Sequence, residues 1–214
     1  MRKLLLVALV LVGLSVSWRS QPPAWDQVVP PAEAFYRASI IKSIQTGTCS
    51  ATGTNTCNAT LTTAVNSTST IILDNGQITA DSSTPGIGSY SRKVLAGSTT
   101  VTGTCANTTP ALNCTADFTA IEFFPNVLSA TGVQRGVITI GAAQTSNIAT
   151  ITAVVTSKTA IVSCGWTGQV SVGNNSAINE TRLVLTNSTT VTASINTVPG
   201  AATYACWQTA EFKG

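Results

Sequence analysis

The chain has 214 residues, a formal net charge of +3 and no histidine. Only 9% of its residues are charged against 43% hydrophobic, where an ordinary soluble domain is about one quarter charged, so Thr, Ser and Asn must supply the polar surface. From Ala38 onward seven Lys/Arg meet six Asp/Glu; that balance leaves no basic stripe for nucleic acid, and the missing histidine removes the commonest general base and metal ligand together.

The N-terminus, MRKLLLVALVLVGLSVSWRSQ, sets Arg2 and Lys3 ahead of an apolar run from Leu4 to Val16, with Ser15 and Ser17 as small residues before a cleavage point. Residues 1–17 therefore read as a secretory signal peptide. The run is short beside the roughly 20 apolar residues of a spanning helix; a retained anchor, in contact with a membrane or buried in a partner, is the alternative. Residues 18–38 follow as a Pro-rich tether, because four prolines between positions 22 and 31 exclude a helix interior or a central strand. Trp18 and Trp25 flank that tether and are candidate contact aromatics for a membrane interface or a neighbouring subunit.

From Ile40 the texture changes to Thr, Val, Ile and Ser, with apolar and hydroxylated residues alternating and Gly and Asn punctuating. VITIGAAQTSNIATITAVV is two alternating runs around a small-residue turn, the pattern of a β-hairpin. The fold class expected from here on is all-β.

The chain also repeats itself. A shift of 89 lays Ile44-Gln45-Thr46-Gly47 on Val133-Gln134-Arg135-Gly136, and Ala64-Val65 on Ala153-Val154. With one extra step STTVT at 98–102 falls on STTVT at 188–192, and at 89 again Glu122-Phe123 meets Glu211-Phe212. Each copy opens on a Q-x-G phrase and closes on Glu-Phe. The signature residues are thus Gln45, Gly47, Glu122 and Phe123 in copy one, and Gln134, Gly136, Glu211 and Phe212 in copy two. A copy of about 85 residues has room for six or seven short strands, the size of a small β-sandwich. The expected architecture is two tandem sandwich-like domains from an internal duplication, residues 39–124 and 132–214, with 125–131 as the joint.

Six cysteines in a chain that reads as exported point to disulfides rather than to zinc. Six allow fifteen pairings, and the repeat narrows the choice. Cys49 and Cys57 have no cysteine counterparts in copy two, nor do Cys105 and Cys114, while Cys164 and Cys206 align with Asn75 and Asp117 of copy one. Cysteines present or absent two at a time are partners, which gives 49–57, 105–114 and 164–206.

No catalytic constellation accompanies them. Ser and Thr abound, but no histidine activates one and nothing near Lys158 forms a Ser-x-x-Lys site. The equivalence of Glu122 and Glu211 argues for a role in the fold rather than for an acid/base dyad. Asp74 in LDNG and Asp81 in ADSSTPG read as turn residues. No enzyme, metal or cofactor is expected. Asn58, Asn66, Asn107, Asn113, Asn174, Asn179 and Asn187 begin N-x-S/T sequons, which matter only in a glycosylating host. Trp166 and Trp207 each adjoin a cysteine of the 164–206 pair. They pack on that disulfide in a sandwich core or stand exposed as a stacking platform for sugar.

The string VQRGVITI…ATITAVVTSKTAIVSCGWTG…TRLVLTNSTTVTAS…TAEF resembles a β-rich module that recurs in tailed-bacteriophage virion proteins, among them tail-associated, head-fibre and decoration proteins. Copy two matches from about Val133 to Phe212; copy one matches loosely, with Thr46 where Arg135 stands. The resemblance covers about three quarters of the chain and implies a non-enzymatic structural role on a virion surface. Residues 1–38 and the sheet edges would then contact capsid, tail or vertex proteins, the chain would form a homo-oligomer within an assembly, and the outer end would face the host. The hydrophobic N-terminus departs from that pattern, since phage virion proteins normally lack export signals. It keeps open a secreted or cell-surface bacterial protein, an adhesin or filament subunit whose neighbours add strands at sheet edges. A secreted carbohydrate-binding module acting through Trp166 and Trp207 is the third expectation.

Overall fold

The structure, a computed structural model, describes residues 40–79, 91–105, 114–168, 181–196, 198–200 and 202–213. Segments 1–17 and 18–38, with Trp18 and Trp25, lie outside the described residues, as do Asp81 and the sequon residues Asn107, Asn113, Asn174 and Asn179. The β-branched alternation forms strands throughout, so the chain is all-β. Copy one contains β1 (Ile41–Ala51), β2 (Thr56–Thr60), β3 (Thr70–Thr79), β4 (Ser91–Leu95), β5 (Thr100–Cys105) and β6 (Cys114–Phe123). Copy two contains β7 (Leu128–Ile140), β8 (Ser146–Thr150), β9 (Thr159–Gly168), β10 (Arg182–Asn187), β11 (Thr190–Ser194) and β12 (Thr203–Phe212). A short 3-10 turn precedes β3 at Ser67–Ser69 and β9 at Thr156–Lys158.

The strands pair antiparallel in the same order twice. β1-β6-β3 faces β2-β5-β4 in copy one, and β7-β12-β9 faces β8-β11-β10 in copy two. Alternation buries one side of each sheet. Ile72, Leu95, Val101 and Phe118 meet between the sheets of copy one; Ile138, Ile140, Val191 and Trp207 do so in copy two. Beside its core, copy one gathers Cys49, Cys57, Cys105 and Cys114 around Ala116. Disulfides there take positions that aliphatic side chains such as Ile138 fill in copy two.

Two details depart from the sequence reading. β7 begins at Leu128, inside the stretch taken as a joint, because Leu128 is buried in a cluster with Phe123 and pairs with Phe212. The offset between copies is 89 along β1 but 90 along β2, since Cys57 lies opposite Gly103 and Asn147 lies opposite Ala193. The counterpart of Cys57 is therefore Asn147 rather than Ser146, and the extra residue of copy one falls in the loop after β2. Register in a two-faced strand is set by which side is buried, so the insertion is absorbed in a loop and both cores keep their alternation.

Candidate functional site at the joint between the copies

The Q-x-G phrase performs the same two tasks in each copy. Gln45 donates from Nε2 to the Thr63 carbonyl at 2.9 Å and accepts the Thr63 N–H at 3.0 Å. Gln134 repeats both bonds with Thr152, at 2.9 and 2.7 Å. Each glutamine thereby closes the backbone of the loop that follows β2 or β8. The glycine two residues on makes space: a β-carbon at Gly47 would lie 2.7 Å from the Phe118 ring, and one at Gly136 would lie 2.8 Å from that of Trp207. Aromatic rings laid over a strand glycine fill the gap left by the absent side chain.

Glu122 and Glu211 close the two copies in parallel fashion. Both are buried. Glu122 accepts from the Asn66 N–H at 3.0 Å, from Lys42 at 2.9 Å and from Ser43 at 3.1 Å. Glu211 accepts from the Val155 N–H at 2.7 Å and from the hydroxyls of Ser129 and Thr131. Burial works to raise the Glu122 pKa, but the Asn66, Lys42 and Ser43 donors outweigh it and hold the carboxyl below its ordinary value. Hydrogen bonds from Ser129, Thr131 and the Val155 N–H hold Glu211 below its ordinary value too. Each carboxylate fixes the start of a 3-10 turn.

The three disulfides join Cys49–Cys57, Cys105–Cys114 and Cys164–Cys206, the pairs expected from their joint presence and absence. The first two stack, with Cys57 Sγ 3.6 Å from Cys114 Sγ. Gly103 clears the room, since a β-carbon there would lie 2.6 Å from Cys49 Sγ. Stable disulfides of this density belong to oxidising, extracytoplasmic surroundings.

Trp166 and Trp207, named as candidate contact aromatics, are buried at 8% and 5% exposure. That corrects the stacking-platform reading, because neither offers a ring face to a sugar. Trp207 instead lies over Gly136 in the copy-two core, where Ile138 and Ile140 also pack.

The side-chain hydrogen bonds of the joint come from residues the repeat does not share. Arg135, whose counterpart is Thr46, donates to the carbonyls of Ser67 and, at 2.7 Å, of Thr70. Gln208, whose counterpart is Thr119, accepts the Ile72 N–H at 2.9 Å and donates to the Ile72 carbonyl at 2.6 Å. Beside these bonds Ile71, Phe123, Leu128, Val133 and Ala210 form an apolar seam, and the Phe123 and Phe212 rings meet edge to face with centroids 5.5 Å apart. β4 touches β9 at one pair, Arg92 with Gly165, and that contact makes a six-stranded sheet running through both copies. Gly165 sits in the left-handed region, with φ +95°, and a β-carbon there would lie 1.9 Å from the Ser91 carbonyl oxygen. Across the same seam the Arg92 guanidinium lies 5.4 Å from the Tyr204 ring centroid. Ile40–Gly214 is accordingly one compact unit.

Sequence reasoning passed over Gln208 and the joint role of Arg135, for which a lone substitution between copies is the whole signal. It also passed over Lys93. The alternation of buried Ser91, Lys93 and Leu95 places that lysine on the core side of β4, where copy two has Leu183. Its Nζ donates to Asp74, the residue read as a turn former; Asp74 Oδ1 also accepts the Gly76 N–H at 2.8 Å.

Among the described residues no group of three or more His, Cys, Asp or Glu is placed to hold a metal ion, and no helix is long and apolar enough to cross a membrane. What the surface does offer is sheet margin: β1 and β3, β8 and β10, and β2 and β7 are the outer strands of their sheets, and outer strands carry unpaired N–H and C=O groups. Ile44 on β1 and Ile148 on β8 add exposed apolar side chains. Comparison with protein-family models, with curated proteins and with solved structures finds no match.

Proposed function

We propose that the chain is a non-enzymatic structural component of a phage virion surface, a decoration, fibre or vertex and tail-associated protein acting through protein–protein contacts. The observation that carries this reading is the use made of the module's signature residues. In both copies Gln, Gly, Glu and Phe hold loops, seat rings and close turns, so the residues that carry the resemblance serve rigidity, as a structural role requires. Residues 1–38 would dock on the particle, and the outer strands would meet neighbouring subunits, including further copies. Protein identification in purified particles from the source tests it. The chain in stoichiometric amount beside capsid or tail proteins is the expected result; its absence from particles and presence in the cell-envelope fraction would overturn the reading.

The second reading, an exported adhesin or filament subunit on a bacterial surface, is favoured by the three disulfides and by the signal-like N-terminus. The same fractionation separates the two. The carbohydrate-binding module loses its support with the burial of Trp166 and Trp207.

A further inference from the structure

Lys93 is fully buried, at 0% exposure, and lysine takes such a position almost only when paired. Its Nζ donates to the Asp74 carboxylate and, at 2.8 Å, to the Gly76 carbonyl. The carboxylate is held in place by the Gly76 N–H at 2.8 Å, within the bulge where β3 leaves its register with β6. Copy two builds the same bulge with Cys164 and Gly165, and Gly165 N–H donates to Ser163 Oγ at 3.2 Å. The structural counterparts of Asp74 and Lys93 are thus Ser163 and Leu183, since Lys93 faces Gly103 as Leu183 faces Ala193. Amine and carboxylate are present together in copy one and missing together from copy two. The same reasoning paired the six cysteines.

We propose that Lys93 and Asp74 condense into an intramolecular isopeptide bond, which ties β4 to the β3 bulge across the sandwich of copy one. Lys93 is enclosed while the Asp74 carboxylate is partly open to solvent, and proton transfer within the pair yields a neutral amine beside a neutral carboxylic acid. The Nζ lone pair attacks Asp74 Cγ, the Nζ–Cγ bond forms, and the bond from Cγ to its hydroxyl oxygen breaks. That hydroxyl leaves with a proton from the amine as one water, so the step is a condensation that needs no oxidant, reductant or co-reactant. Its rate comes from the fold holding amine and carboxyl in contact, so that the two groups have no translational freedom left to lose. Burial lowers the Lys93 pKa, against the opposing pull of the Asp74 hydrogen bond and of the Asp74 and Asp117 charges, and so favours the neutral nucleophile. Asp117 lies on β6 opposite the bulge, between the paired positions Ala116 and Phe118, and acts on Lys93 only through its charge. The bond is independent of any role on a particle.

Digestion of the native full-length chain, reduced and alkylated, followed by peptide mass analysis, tests it. The expected result is one cross-linked species, lighter by one water than its two component peptides, with fragmentation joining Asp74 to Lys93. It survives hydroxylamine, which opens a succinimide at Asp74 or Asn75. Asp74→Asn forms the same bond with loss of ammonia in place of water, and Lys93→Met forms none. Native peptides carrying Lys93 and Asp74 at unmodified mass would overturn the proposal, as would a water loss confined to residues 74–75 with Lys93 free.

Discussion

Gly136 and Trp207 face each other in register across β7 and β12, with the indole ring lying where a glycine β-carbon would stand. Gly47 and Phe118 stand in the same relation across β1 and β6. Alanine is ordinarily the better strand residue, yet here its methyl group would be driven into a ring with no room to retreat. Gly136→Ala and Gly47→Ala should each cost about 1–3 kcal/mol by overpacking. Chemical denaturation measures it, and unchanged stability would show that the rings are free to shift.

Acid should weaken the fold in a defined window. Glu122 and Glu211 both have folded pKa values below the ordinary one, so their contribution is complete above the unfolded value of about 4.3 and disappears as pH falls through the folded values. Stability should therefore be flat from about pH 5 to 7 and decline below about pH 4. Glu211→Gln should lower the plateau and flatten part of the decline. A decline of the same size in that variant would assign the acid sensitivity elsewhere.

The disulfides should differ in weight by the loop each closes. Cys164–Cys206 spans 42 residues in sequence and Cys105–Cys114 spans 9. Chain entropy then assigns about 4 kcal/mol to the first and about 2.5 to the second. Replacing both cysteines of a pair by alanine, one pair at a time, should rank the denaturation midpoints in that order. The reverse order would mean that the stacked pairs of copy one act through packing more than through the unfolded chain.

The joint should be separable from the folding of either copy. Gln208→Ala strands the N–H and carbonyl of Ile72 inside the seam, a loss of about 1–3 kcal/mol. Amide exchange read residue by residue should quicken at Ile72 and leave Val101 and Val191 protected. Uniform quickening would indicate that the copies unfold only together.

What could be read in advance followed from what the copies share. Alternation marked the strands, and the paired gain and loss of cysteines marked the bridges. The return of Gln45 and Glu122 as Gln134 and Glu211 pointed to roles within the fold. The joint stayed hidden because it depends on differences. Arg135 and Gln208 occupy positions where copy one has Thr46 and Thr119, and nothing local distinguishes an arginine that reaches a neighbouring carbonyl from one that reaches water. The slip from 89 to 90 along β2 was equally silent, since Thr-rich loops align about as well one residue either way. Lys93 was legible in principle, because its place in the alternation of β4 pointed inward while its charge argued outward.

The seating of Gly165 against Ser91 has a geometric corollary. Gly76, its counterpart, has the same left-handed backbone, φ +99° against +95°, but open space in place of a neighbour. Likewise Val133 is covered at 8% exposure while its counterpart Ile44 stands open at 58%. The two modules are therefore joined as links in a row are, each meeting the next with a different side, and not as two hands clasped. A row of that kind has a leading and a trailing end that cannot be exchanged, so the chain carries a built-in sense of direction, and anything that continued the row would have to respect it.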